Sequence, residues 1–215
     1  MSETNPQLKS WTGEFGQEYT KRNNISLMDL EKLYMNNFNI TRTELNSLFL
    51  NKIDFSKKFL EIGSNIGLQL MCLQNMGFKN LYGIEPQEYA IQLSKKRTKD
   101  INIIRGDIFD IPFRDEFFDV VFTSGLLIHI HPLEIKKALK EIYRCSNKYI
   151  WGMEYYAEEY TNVEYRGQKE LLWKANFPKI YQDIFPDLKI IKIKLLKYLG
   201  NNNTDIMFLL KKMDN

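Results

Sequence analysis

The chain is poor in the features that mark several protein classes. It has two cysteines in 215 residues, Cys72 and Cys145, and neither belongs to a CxxC pair or a Cys/His cluster. That argues against a disulfide scaffold or a zinc module, and both residues fall in apolar helical patterns that read as reduced core thiols. No apolar run approaches the ~18 residues a membrane span needs. The opening stretch MSETNPQLKSWTG lacks an apolar signal core, so a soluble cytoplasmic protein is expected. Neither sign of charge dominates: 30 Lys and Arg stand against 27 Asp and Glu, for a net +3. The basic runs are short (Lys57-Lys58, Lys95-Lys96-Arg97, Lys136-Lys137, Lys211-Lys212) and read as solvated helix faces and strand ends rather than a nucleic-acid stripe. Internal repeats and low-complexity tracts are absent. Only two histidines occur, His129 and His131, with no cysteine near them, so no metal is expected.

What the chain does have is a globular composition, 44% hydrophobic and 27% charged, in a length that suits a single domain with a full core. Residues 1–25 carry no strong period but hold Trp11, Gly13, Phe15, Gly16 and Tyr19 close together. Ser26 with Asp29 and Thr41 with Glu44 are capping-box pairs, each followed by leucines at helical spacing, so two helices are expected there. Beyond them the periods alternate. Strands are expected over 58–62, 81–84, 101–104, 118–123 and 148–154, and helices over 66–76, 87–97 and 132–145. Residues 168–185 read as helical material broken at Pro178. Two last strands, 189–198 and 205–211, are joined by the turn-rich Gly200-Asn-Asn-Asn203 and should pair antiparallel. Alternation of this kind implies an α/β fold, a mostly parallel sheet with helices on both faces and an antiparallel strand at or near one edge. Ligands of such sheets bind at the carboxyl ends of the strands.

One more absence is local. In FLEIGSNIGLQLMC, residues 59–72, Gly63 and Gly67 are present but Asn65 stands where a middle glycine would be expected. A dinucleotide fingerprint, G-x-G-x-x-G, would place its glycines at Gly63, Asn65 and Leu68, so two of three fail, and no Gly-Lys-Ser/Thr follows to make a phosphate loop. S-adenosylmethionine (SAM) has no phosphate and asks instead for a tight strand-to-helix turn, acidic-x-G-x-G-x-G. Here that reads Glu61-Ile62-Gly63-Ser64-Asn65-Ile66-Gly67. Asparagine tolerates positive φ better than other residues with a side chain, so Asn65 can hold the middle place, and its amide is available to the amino-acid end of the cofactor. A plain βα turn is the competing reading.

Spacing downstream favours the cofactor. Glu85, followed by Pro86, ends the second strand, where a carboxylate can accept from both ribose hydroxyls. Asp107 follows the third strand and can accept from an adenine amino group, with Ile108 covering the ring. Asp119 opens the fourth strand, as part of the same set or as a turn-closing acid, and Thr123-Ser124-Gly125 closes it, Ser124 on the cofactor side.

In this order and on these elements, residues 55–155 resemble the class I SAM-dependent methyltransferases. The implied fold is Rossmann-like, with a seven-stranded sheet in which the C-terminal hairpin supplies the antiparallel strand. A single methyltransferase domain is expected over 1–215, with 1–54 as N-terminal lid and helices and 55–215 as the SAM-binding core. A narrower resemblance rests on WTGEFGQEYTKRN (11–23), GLLIHIHPLE (125–134), EIYRCSNKYI (141–150) and EYYAEEYTNVEYRG (154–167), which look like the methylases associated with pseudaminic acid biosynthesis. It implies a surface-glycan context and a small anionic sugar-type acceptor: a nonulosonic acid, its precursor or its nucleotide-activated form.

Candidate chemistry follows on the same rim. The loop carrying His129 and His131 should face the methyl group, and imidazole is the commonest general base; a helix-entry histidine bonded to backbone is the alternative for either. Glu154, ending the fifth strand, is a base, a hydroxyl acceptor or a loop anchor; Tyr155 and Tyr156 follow it. Tyr165 and Arg166 lie in a loop expected to overhang the site, where the planar Arg166 fork suits a carboxylate or phosphate, with Lys174 a second choice. Phe15 and Tyr19 would fold over the cofactor and Arg22 would meet its carboxylate, unless these aromatics only pin the segment to the core. Two rivals stay open: an enzyme acting on protein or nucleic acid, which would want a basic mouth and lacks an NPPY-type tetrapeptide at Thr123-Ser124-Gly125-Leu126, and a SAM-binding sensor without turnover.

Overall fold

A computed structural model describes residues 6–167 and 169–213. Chain order begins with four helices, α1 (Pro6–Thr12), α2 (Glu14–Arg22), α3 (Leu27–Phe38) and α4 (Arg42–Leu50). Then come β1 (Lys58–Ile62), α5 (Leu68–Asn75), β2 (Asn80–Glu85), α6 (Glu88–Arg97), β3 (Asn102–Arg105) and β4 (Phe118–Ser124). A 3₁₀ turn (Leu127–His129) leads into α7 (Ile135–Cys145) and β5 (Ser146–Tyr155). The short strands β6 (Thr161–Asn162) and β7 (Trp173–Lys174) pair with each other, and α8 (Phe177–Ile184), β8 (Leu188–Lys197) and β9 (Thr204–Lys212) complete the chain.

Two expected helices carry both halves of their capping boxes: Ser26 accepts from the Asp29 amide and Thr41 from the Glu44 amide, while each acid reaches back to the cap. The first two helices were not expected. Trp11, Phe15 and Tyr19 do recur every fourth residue, but Gly13 and Gly16, the weakest interior helix formers after proline, hide the pattern. The 168–185 stretch also differs. Gln168 lies outside the described residues, 173–174 is strand, and Pro178 opens α8 rather than breaking a helix, because the first turn has no use for its missing N–H.

The seven-stranded sheet has the order β3-β2-β1-β4-β5-β9-β8. β1 through β5 are mutually parallel, and β9 runs antiparallel to both β5 and β8. Each central strand feeds two cores by period-2 alternation. On β4, Val121 packs with α7 and α8 and Val120 and Phe122 pack with α4 and α5, while Phe118 joins the Val121 side because the register shifts between Phe118 and Val120; on β9, Ile206, Phe208 and Leu210 alternate with Met207 and Leu209. With both faces of the central strands covered, a ligand site is expected on the carboxyl rim, where the strand order turns between β1 and β4. Among the described residues no helix is long and apolar enough to cross a membrane.

Candidate functional site

The cavity on that rim has a volume of about 220 Å³. Its floor is the turn from β1 into α5. Gly63, Asn65 and Gly67 all take positive φ, at 69°, 48° and 80°. The first two face the cavity, whereas Gly67, N-terminal to α5, sits under the turn against Ile103 and Thr98. The Gly63 and Ser64 amides donate to the Ile84 carbonyl, tying this turn to the end of β2.

Three carboxylates line the cavity, Glu61, Glu85 and Asp107, and among its described lining residues there is no lysine or arginine. Glu85 is buried, and each of its oxygens accepts one backbone N–H, from Asn65 and Gln87, both at 2.9 Å. A carboxylate has about four acceptor sites, so two remain for a diol. Burial raises the Glu85 pKa to about 7 against these two bonds. Burial also pushes Glu61 well above the carboxylate range; the nearby Arg42 guanidinium opposes the shift and Glu85 adds to it. Arg42 itself is buried in α4, over the faces of Tyr34 and Trp151. Asp107 turns one oxygen to the Phe109 amide at 2.8 Å and lines the cavity beside Ile108; Pro86 and Ser124 line it as well. Four buried polar atoms on cavity-lining residues lack partners among the described residues: Trp11 Nε1, Glu61 Oε2, Ser64 Oγ and Gln69 Oε1. Donors and acceptors left open in an acidic cavity fit a ligand that carries a positive charge, hydroxyls and an amino-acid end, as SAM does.

The neighbouring half of the rim is aromatic. His129 is 7% exposed and reaches the cavity. Its Nδ1 lies 2.7 Å from the Leu171 carbonyl, so Nδ1 carries the proton. Burial lowers its pKa to about 4, the ring is neutral at pH 7, and Nε2 therefore holds a bare lone pair. Trp11 packs on the imidazole at 4.3 Å, with Tyr165 at 5.9 Å and Tyr19 at 6.5 Å; Phe15 closes against Trp11 and Tyr165. Tyr19 and Trp11 reach the cavity, while Phe15 faces a separate cleft with Lys9 and Leu171.

Other expected residues stand apart. Glu154 is 1% exposed and accepts from the Leu126 and Ile128 amides at 3.3 and 3.4 Å. It anchors the loop that presents His129 and does not line the cavity, so of its three readings the anchor is the one its contacts support. His131 caps the turn before α7, accepting from the Leu133 amide, and faces Trp173 rather than the cavity. Arg22 is exposed on the outer side of α2. Arg166 is exposed beside the Tyr165 ring, at φ 53° in the turn with Gly167. Tyr155 sits beside Asp205 in the β5–β9 register, Tyr156 bonds Glu158, and Lys174 bonds Asn203. Asp119 accepts from the Lys58 amide and pairs with Lys57 at the opposite end of the sheet, which leaves it a turn-closing acid. The sequence reading missed Thr20 and Gln87, both buried, and gave no site role to Trp11 beyond pinning. The fourfold spacing of Trp11, Phe15 and Tyr19 was the available signal for the last.

Comparison with known proteins bears on the fold and on the middle of the chain. Residues 60–148 match the methyltransferase domain family. An uncharacterized methyltransferase of Staphylococcus carnosus is 32% identical over 83 residues, covering 39% of this chain and 39% of that protein. Another, from Oceanobacillus iheyensis, is 25% identical over 148 residues, covering 66% and 68%. The chain thus spans about two fifths of the first relative's length. Among solved structures, the 1,6-didemethyltoxoflavin-N1-methyltransferase of Burkholderia thailandensis, with bound 1,6-didemethyltoxoflavin and S-adenosylhomocysteine (SAH), superposes with a TM-score of 0.69 at 11% identity, over 94% of this chain and 86% of its own. Residues 60–148 thus match the methyltransferase domain family, and the fold is the one seen in SAM-dependent methyltransferases of known structure.

Proposed function

We propose that the protein transfers a methyl group from SAM to a small acceptor, with 1–215 acting as one domain and the helices of 1–54 forming its cover. The observation that carries this reading is the juxtaposition of an acidic cavity at Glu61, Glu85 and Asp107 with a neutral imidazole, His129, inside an aromatic wall. Glu85 would hold the ribose, Asp107 and Ile108 the adenine, and Glu61, Ser64 and Gln69 the amino-acid end. When bound, SAM supplies an electrophilic methyl carbon on a sulfonium sulfur, and SAH is what remains. His129 Nε2 takes the proton of the acceptor hydroxyl as its oxygen gains the methyl. The buried imidazole is neutral at pH 7 and so free to accept that proton as the new bond forms, and exclusion of water by Trp11 and Tyr19 serves positioning.

For the acceptor, we propose a nonulosonic acid of the pseudaminic type, or a pathway intermediate, free or nucleotide-activated. Two features support it: the four segments that resemble the pseudaminic-associated methylases, and the Tyr165 ring, an aromatic face for a sugar, beside the exposed Arg166 fork. The two buried free thiols favour a reducing compartment, the cytoplasm. The test is a methyl-transfer assay read by mass spectrometry. Purified protein and SAM are offered each pseudaminic and legionaminic intermediate, with and without CMP activation, beside tRNA, DNA and protein controls. A one-methyl gain on a sugar form is expected. A gain only on a macromolecule, or SAH binding without transfer to any acceptor, overturns the sugar reading in favour of another acceptor or of a sensor.

A further inference from the structure

The middle position of the glycine loop needs only positive φ, which glycine would supply without strain. What Asn65 adds is its amide. That amide does not serve the cavity in this structure: Asn65 Nδ2 donates to Thr20 Oγ1 at 3.0 Å, and Thr20 Oγ1 donates to Gln87 Oε1 at 2.9 Å. Gln87 Nε2 then donates to the Trp11 carbonyl at 2.8 Å. Thr20 and Gln87 are fully enclosed, so each bond is made in a medium where leaving one unmade is costly. The close approach depends on Gly16, since a Cβ there would lie 1.8 Å from the Trp11 carbonyl oxygen and 2.4 Å from Gln87 Nε2. The chain of bonds ends where it began. The backbone amides of Asn65 and Gln87 both donate to the Glu85 carboxylate, the group placed to hold a ribose. Trp11, whose carbonyl is held at one end of the chain, covers His129 with its ring.

On the reading that this cavity holds SAM, we infer that Thr20 and Asn65 are two halves of a latch: an occupied cofactor site holds α1 and α2 closed over His129, and the acceptor wall is complete only then. Both are positioning residues. They act through the placement of Trp11, Phe15 and Tyr19 and touch no reacting atom. Cofactor must accordingly bind before acceptor, and loss of the latch must weaken acceptor binding more than it slows transfer at saturation.

The test is hydrogen–deuterium exchange of amides 6–22 with and without SAH, in the wild type, Thr20→Val, Thr20→Ser and Asn65→Gly. SAH should slow exchange there in the wild type. Asn65→Gly, which removes one neutral buried hydrogen bond, should exchange about fivefold faster, and Thr20→Val, which removes both bonds of the hydroxyl, about 25-fold faster; each should lose most of the SAH protection, and the double variant should be no worse than Thr20→Val. Thr20→Ser should restore protection, which a packing role of the threonine methyl would not give. The acceptor KM should rise about fivefold with kcat within about twofold. Wild-type exchange and wild-type SAH protection in Thr20→Val and Asn65→Gly would overturn the latch while leaving the cofactor reading intact. Failure of the wild type to bind SAH would instead remove the cofactor reading, and the coupling with it.

Discussion

Glu85 and Glu154 occupy matching places in the two halves of the rim. Each ends a parallel strand, each is buried, each accepts two or more backbone amides, and burial raises each pKa to about 7. Yet Glu85 lines the cavity and Glu154 does not. The difference lies in the chain around each acid. After β2 the chain enters α6 at once and leaves the Glu85 oxygens open on one side. Glu154, on β5, is instead covered from the neighbouring strand: the loop that follows β4 brings the Leu126 and Ile128 amides onto its carboxylate and closes it off. A strand-end acid thus lines the cavity in one half of the rim and braces a loop in the other, and position in the sheet alone does not decide which.

The largest effect that would separate the halves is on catalysis. His129→Ala should lower methyl transfer by about 10²- to 10⁴-fold, the usual worth of a general base, while SAH affinity stays within about threefold. Steady-state rates beside calorimetry would show it, and a variant with near-normal turnover would break the assignment. Next, Glu85→Gln should weaken SAH binding by about 30-fold or more, because bonds to an ionised acceptor are roughly twice as strong as neutral ones. Glu154→Gln should leave SAH affinity within about threefold.

The pH dependence sharpens the same pair. Glu154 rises from 4.5 in the unfolded chain to about 7 when folded, so its contribution to stability is complete below pH 4.5 and is lost as pH climbs through 7. The loss amounts to about 3 kcal/mol at most, at 1.36 kcal/mol per unit. Thermal melts should show wild-type stability falling over this window and Glu154→Gln flattening the fall. For Glu85, whose ionised form is the ribose acceptor, SAH affinity should drop as pH falls below about 7, and Glu85→Gln should not follow.

Smaller effects remain. Asn65→Ala should cost about 1 kcal/mol of stability through its φ of 48°, whereas Asn65→Gly should remove that strain and lose only the side-chain bond. Denaturant titration of the two variants separates the conformational cost from the latch. Last, Arg166→Ala should raise the KM of an anionic acceptor by about three- to tenfold through loss of one exposed charged contact, with no change for SAH.

The cofactor half was legible because its signals are local. Glu61 to Gly67 is one turn whose backbone demands show in residue types, and Asn65 does take positive φ. Glu85 and Asp107 each follow a strand that its own apolar pattern announces. The acceptor half is assembled from segments far apart in sequence. Gln7 reaches across 124 positions to the His131 amide, and Trp11, Tyr165 and His129 meet only in the fold. Spacing cannot show such contacts. Nor could it separate His129 from His131: the Leu171 carbonyl turns one toward the cavity, while Trp173 packs the other away from it. Arg22 failed for a simpler reason, since without the register of α2 nothing in the sequence says which way it faces.

One measurement bears most directly on the claim that the acidic cavity is the cofactor site: calorimetric titration of SAH into the wild type and Glu85→Gln at pH 8. The account predicts one SAH bound per chain by the wild type and a loss of about 30-fold or more in the variant. No binding by the wild type, or equal affinity in both, would contradict it.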